Sequence, residues 1–212
     1  MSSFRYHGAQ DTEAPMVVAR HARQVHEPED LWLLRTDARR YELLRGTVYV
    51  TPELNEDEHA LWSTLAWHLL DYARPLNLEV LPGEQRCRAG KYTELAPDIV
   101  VVPHVERAGI FPVFEPIRSV VLAIDIGRAD ASDAARHRHT AFIRSGGCEW
   151  WSVDPLTRSV EIFRRGVGDA TLEEREVVWQ PVRGREALRL DLPALFAAVT
   201  FGQRQRKRNQ RS

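Results

Sequence analysis

Two periods of hydrophobic and polar positions divide this chain. Residues 40–51 (RYELLRGTVYVT) have the β-branched and aromatic composition of two short strands around an Arg45-Gly46 turn. Residues 56–74 (EDEHALWSTLAWHLLDYAR) return apolar side chains at 61, 62, 65, 66, 69, 70, 72 and 73, which is the helical period. Acids crowd the start of that helix and Pro75 ends it. Residues 28–36 read as a shorter helix opened by Pro28. Residues 78–88 read as an edge-type strand broken at Pro82-Gly83.

Residues 98–102 (DIVVV) and 119–126 (SVVLAIDI) are short and nearly all apolar, as strands covered on both faces are. A second helix is expected over 130–145. A hairpin is expected from 148–154 and 158–165 across Asp154-Pro155-Leu156-Thr157, then a weaker strand near 172–180 and a closing helix over 190–199. Strands and helices mix without strict alternation. The expected class is α/β of the α+β kind, a mixed sheet flanked by helices.

The chain has 212 residues, 43% hydrophobic and 28% charged. That is enough to build one core without a disulfide or structural metal. One domain over 28–200 is expected, with a disordered extension over 1–27 and a basic, disordered tail over 201–212. A net charge of -1 excludes a generally basic nucleic-acid coat. Two cysteines exclude a disulfide scaffold and a zinc ribbon. His21 and His26 are five apart, off a common helix face, and nothing nearby completes a metal site with them. No run approaches the ~18 apolar residues of a membrane span, and the polar N-terminus is no secretory signal, so the expected compartment is the cytoplasm. Lysine occurs only at 91 and 207, which limits any chemistry that needs one.

Two acids stand among apolar neighbours. Asp98 opens Ile-Val-Val-Val, and Asp125 sits inside Leu-Ala-Ile-Asp-Ile. Ionised carboxylates in such places are paired, hydrogen-bonded or metal-bound. Alternation puts Asp98 with Val100 and Val102, and Asp125 with Val121 and Ala123, so neighbouring strands would let the two acids meet. Two converging carboxylates suit Mg²⁺. Singly, each acid also reads as a wet strand end or a loop cap.

Arg138 shares a helix face with Ala134, Ala141, Phe142 and Ser145, and so points at the sheet, either as a structural ion pair or as a phosphate contact. His137 and His139 flank it and are expected in solvent. Glu42 lies in the first strand. His59 falls on the stripe of Trp62, Ala66 and Leu70 and is expected to point inward, as a core histidine or a site residue. Arg128, Arg136, Arg138 and Arg144 together could form a local basic face for nucleic acid, or be solvated helix faces. Glu149 is a weaker pocket candidate. Trp150 and Trp151 are candidates for a homodimer contact or for core.

The order of these residues resembles the Uma-type restriction-endonuclease family, a branch of the PD-(D/E)XK nuclease superfamily. Tyr41-Glu42-Leu43-Leu44-Arg45-Gly46 resembles its opening hairpin, His59 the histidine that begins its long helix, and Pro97-Asp98-Ile99-Val100-Val101-Val102 its PDVVVV strand. Leu122-Ala123-Ile124-Asp125-Ile126 is similar to its VVEVLS strand, and Phe142 through Pro155 to its YARAGVPEYWLVDP segment. Leu190-Asp191-Leu192 and Leu195-Phe196 fit its ending. The resemblance spans roughly residues 28–200.

It implies a restriction-endonuclease-like mixed sheet with extra hairpins and a metal-dependent phosphodiesterase acting on DNA. Asp98 and Asp125 would hold Mg²⁺, or Mn²⁺ in its place. Glu42 and His59 would line the pocket, and a lysine would complete it. This chain departs from the pattern: the family's glutamate is Asp125, its lysine is Arg138, and its serine loop is Gly127-Arg128-Ala129-Asp130. Arginine stays protonated and cannot act as a base. It can bind phosphate and stabilise negative charge. The rival expectation is a nuclease fold kept for binding or regulation without catalysis.

Overall fold

The computed structural model describes residues 17–18, 27–28, 30–31, 40–51, 53–82, 85–104, 119–127 and 133–199. The chain opens with β1 (Val17–Val18), β2 (Arg40–Leu44) and β3 (Thr47–Thr51), followed by helix α1 (Glu56–Ala73). Next come β4 (Leu78–Pro82), β5 (Cys87–Gly90), β6 (Thr93–Leu95), β7 (Ile99–Pro103) and β8 (Leu122–Ile126). Helix α2 (Asp133–Arg144) leads to β9 (Glu149–Asp154) and β10 (Ser159–Arg164). The chain closes with β11 (Thr171–Glu173), β12 (Glu176–Trp179), β13 (Leu188–Asp191) and helix α3 over residues 192–199. None of the described helices is long and apolar enough to cross a membrane.

Strands β1-β3-β2-β6-β5 form one antiparallel sheet in that order. A six-stranded sheet runs β11-β10-β9-β8-β7-β4. It is mixed, because β8 and β9 are parallel and the other pairs antiparallel. Parallel neighbours need a crossover, and α2 supplies it. The fold is the mixed α+β architecture expected of a restriction-endonuclease-like domain.

Alternation along the central strands separates two cores. Ile99, Val101, Leu122, Ile124, Trp151 and Val153 face α1 and α3. Val100, Val102, Ala123 and Trp150 face Phe142 of α2 and Leu44, Cys87 and Leu95 of the five-stranded sheet. Helix α1 starts at a capping box: Asn55 accepts from the N–H groups of Asp57 and Glu58 at 3.0 and 3.1 Å, and Glu58 accepts from Asn55 N–H at 2.8 Å.

Several expectations change. Val17–Val18, inside the segment read as an irregular extension, pairs with β3. Leu190 and Asp191 belong to β13 rather than to the closing helix. The weak strand near 172–180 is two strands, β11 and β12, in different sheets. Trp150 and Trp151 are both fully buried, one in each core, so neither is a dimer contact. Residues 29 and 32–36 of the first expected helix, residues 130–132 of the second, and the tail from 201 lie outside the described residues.

Gly147 links α2 to β9 against the Phe142 ring. A Cβ there would lie 2.3 Å from the ring. Gly147→Ala is therefore expected to cost about 1–3 kcal/mol through overpacking. Urea unfolding checks this, and an unchanged midpoint would show that the ring can move aside.

Candidate active site

The β7–β8 register pairs Ile99 with Ile124, so Asp98 falls opposite Asp125 one step further on. Both lie on the face of Val100 and Ala123, toward α2. Asp98 is only 2% exposed, which removes the reading of a wet strand end. Its N–H donates to Ile124 O at 2.8 Å, and its Oδ2 accepts from Ile126 N–H at 2.6 Å. Arg40 Nη1 donates to its Oδ1 at 2.6 Å. Trp62 Nε1 donates to its carbonyl at 2.9 Å and ties α1 to this strand end.

Glu42 reaches the same place from the other sheet. It is fully buried on β2, and its Oε1 accepts from Ala96 N–H at 2.7 Å, where the chain passes between the sheets. Arg138 closes the group from α2. Its Nη2 donates to Glu42 Oε1 at 2.7 Å and to Asp125 Oδ1 at 3.3 Å, and its Nη1 donates to Asp125 Oδ2. The guanidinium also lies 5.2 Å from the centre of the Trp150 ring, a cation–π contact.

Burial would push the Arg138 pKa down, but Asp125 and Glu42 outweigh it and hold the guanidinium charged. Burial pushes Asp125 up, to about 7; Arg138 opposes this, while Asp98 and Glu42 add to it. Burial first, then Glu42, Glu94 and Asp125, raises the Cys87 thiol, so it stays protonated. Glu94 is a further buried acid, held by Arg86 at 2.9 Å and Arg88 at 3.4 Å.

Asp98, Asp125, Glu42 and Arg138 thus come together, and His59 does not join them. It is exposed, because the buried face of α1 runs through Leu61, Leu65, Leu69 and Ala73. The 59–62–66–70 stripe lies at the edge of that face, and Leu70 is itself 51% exposed. His139 was expected in solvent and is buried instead. It packs 3.9 Å from the Phe163 ring centre and 5.3 Å from that of Trp150, with Nε2 3.3 Å from Ser152 Oγ. Burial and the Arg138 charge lower its pKa to about 3. Glu149 shares the α1 face with Trp151 and lies away from the cluster, bonded to Trp151 Nε1 at 2.7 Å.

Of the expected basic face, Arg138 points inward and Arg136 and Arg144 are exposed, while Arg128 lies outside the described residues. Arg40 and Trp62 were missed as site-forming residues. Glu58 was missed too: its Oε1 lies 3.4 Å from where a Cβ on Gly127 would be, just beyond β8. Its Asn55-x-x-Glu58 capping box is readable in the sequence.

The implied divalent ion does not fit this arrangement. The donor chemistry suits it, since the carboxylates are hard ligands and Glu42 Oε2 is buried without a hydrogen-bond partner among the described residues. But Arg138 already holds both oxygens of Asp125 and one of Glu42. Among the described residues, no group of three or more His, Cys, Asp or Glu side chains is placed so that it could hold a metal ion.

The titrations of Asp125 and His139 oppose each other. Asp125 has a raised folded pKa, so its stabilisation is complete below about 4 and is lost as pH rises toward about 7. His139 has a lowered folded pKa, so its contribution is present above about 6.5 and is lost as pH falls toward about 3. Asp125→Asn is therefore expected to leave a stability that climbs more steeply between pH 4 and 6.5 than in the unsubstituted chain. Parallel profiles for the two proteins in urea unfolding across that range would remove Asp125 as a titrating group.

The Anabaena variabilis protein whose crystal structure is described as that of "a putative nuclease belonging to DUF820" shares this fold, with a TM-score of 0.67. The two are 17% identical, and the match covers 82% of this chain and 99% of that one. No curated protein matches the chain. Residues 28–199 match the family model Uma2, described as "Putative restriction endonuclease", and with that match spanning every strand but β1 and the whole carboxylate cluster the chain belongs to the Uma2 family.

Proposed function

We propose that this chain is a DNA endonuclease of the PD-(D/E)XK type held at low activity by its own arginine. The carrying observation is Arg138 bridging Asp125 and Glu42 at the position where the family resemblance places a lysine. Asp98, Asp125 and Glu42 are the carboxylates of the site. Arg40, with a quarter of its side chain exposed, is the cation placed to meet a substrate phosphate. His59 has no role in this reading. Mg²⁺ or Mn²⁺ would have to take Asp125 from a buried fork, and removing one partner of such a pair costs on the order of 3–5 kcal/mol. Arg138 also cannot accept a proton from the attacking water.

A second reading rests on the same bridge. With a cation on each of Asp98, Asp125 and Glu42, the fold is a finished scaffold, and the protein is a nucleic-acid-binding or regulatory module without catalysis.

Cleavage of supercoiled plasmid separates them. The unsubstituted chain is expected near background with Mg²⁺ or Mn²⁺. Arg138→Lys is expected to raise cleavage at least tenfold, because a single ammonium releases carboxylate oxygens. Adding Asp98→Ala should return it to background. An Arg138→Lys protein that folds and cleaves no faster than its parent leaves the binding module as the function.

A further inference from the structure

We propose that a second site, further along the interface of α2 with the five-stranded sheet than the carboxylate cluster, binds a phosphate of the nucleic-acid backbone. It is a cavity of about 240 Å³ between the β2–β3 turn, the β5–β6 hairpin and α2. Arg45, Thr93, His137 and Arg144 supply its polar wall, Leu44 and Ala89 part of its floor, and none of its lining residues is acidic. The carboxylate cluster is the opposite case, with an arginine on every acid. Neither Arg45 nor Arg144 has an ion-pair partner among the described residues.

The wall is built rather than incidental. Arg45 and Gly46 have φ of 50° and 79°, the pair of left-handed residues of a type I′ hairpin turn. Asn, Asp or Gly is usual at the first of these positions, and a longer side chain there costs roughly 1–2 kcal/mol. The turn is clamped to its neighbour: Arg45 N–H donates to Thr93 Oγ1 at 3.2 Å and Gly46 N–H to Tyr92 O at 2.9 Å. Thr93, which is buried, accepts that bond and keeps its own proton to donate. Two guanidiniums without an ion-pair partner among the described residues, an imidazole and a hydroxyl suit an anion with several oxygens.

Size and position narrow the ligand. The volume is below the ~300–1,000 Å³ that encloses drug-sized molecules, and suits a phosphate with part of its sugar. Glu42 and Leu44 are two residues apart on one face of β2, about 7 Å by strand rise. Arg138 and Arg144 are six residues apart on α2, about 9 Å by helix rise. A strand with one phosphate at the carboxylates would thus present a neighbouring phosphate of the same strand here. The choice of polymer rests on the nuclease reading above; the anion chemistry stands without it.

The test is run in EDTA, so that cleavage plays no part. Anisotropy of fluorescein-labelled duplex and single-stranded 16-mers is measured for the full chain and for the double variant Arg45→Gln/Arg144→Gln, with inorganic phosphate as competitor. Both side chains are exposed, so thermal unfolding of the variant should match the parent. We expect Kd to weaken at least tenfold, the log Kd–log salt slope to fall by one to two, and phosphate competition to disappear. Equal affinity and slope in parent and variant would overturn the assignment. So would a parent that binds no oligonucleotide, and if that parent still binds phosphate, the cavity belongs to a free phosphate compound. Failure of Arg138→Lys to cleave touches only the catalytic reading, because no measurement here depends on that residue.

Discussion

A guanidinium buried between two carboxylates from different sheets is the interaction on which the rest of this molecule turns. Glu42 comes from the five-stranded sheet, Asp125 from the six-stranded one, and Arg138 from the helix that packs across both. Around them lie Trp150, Phe142 and Ala123, which offer no replacement for water. An unpaired acid there would be costly, so three elements must be in place before the layer can close. Such buried networks are weak evidence for net stability. What this one supplies is register: a shift of β8 by one residue would turn Asp125 toward α1 and leave Arg138 facing an apolar surface.

The link between the sheets explains why the acids converge there. After β6 the chain leaves one sheet at Ala96 and Pro97 and enters the other at Asp98. Glu42 receives the Ala96 N–H, and Asp98 receives the Ile126 N–H. Both carboxylates therefore satisfy backbone groups at the crossing in addition to meeting arginines. Their burial has a structural reason that would hold with no substrate at all, which is why the same geometry serves an enzyme and a binding scaffold equally well.

Much of this was legible from period alone. The acids in two apolar runs were identifiable, and alternation placed each on a face. Arg138 was read inward because Phe142, one turn on, had to be. What period could not supply was a third dimension. The antiparallel register that sets Asp98 against Asp125 is a property of two strands. The partnership of Glu42 with Ala96 depends on how two sheets cross. The histidines failed for a related reason. A helical stripe is an arc, and the residues at its edges are decided by what packs opposite. His59 lies at the margin of the α1 face and stays in solvent, while Phe163 and Trp150 bury His139 from strands that α2 does not encode. Leu190-Asp191-Leu192 fits a strand as well as a helix start, and pairing with β12 decided it.

An arginine at position 138, where the family resemblance places a lysine, carries more meaning in this setting than at an exposed site. An ammonium is a compact point charge that satisfies one acid and leaves the others to a metal or a water. A guanidinium is a planar fork that can hold two carboxylates at once, and here it does. The fork gains a bridge between sheets and forfeits the open oxygens and the titratable amine that metal-assisted hydrolysis would draw upon. Burial first, with Asp98 and Glu42 adding to it, still raises Asp125 to about 7 despite the arginine. In the nuclease proposed above, the oxygens of Asp125 that a divalent ion would need are the ones the arginine holds.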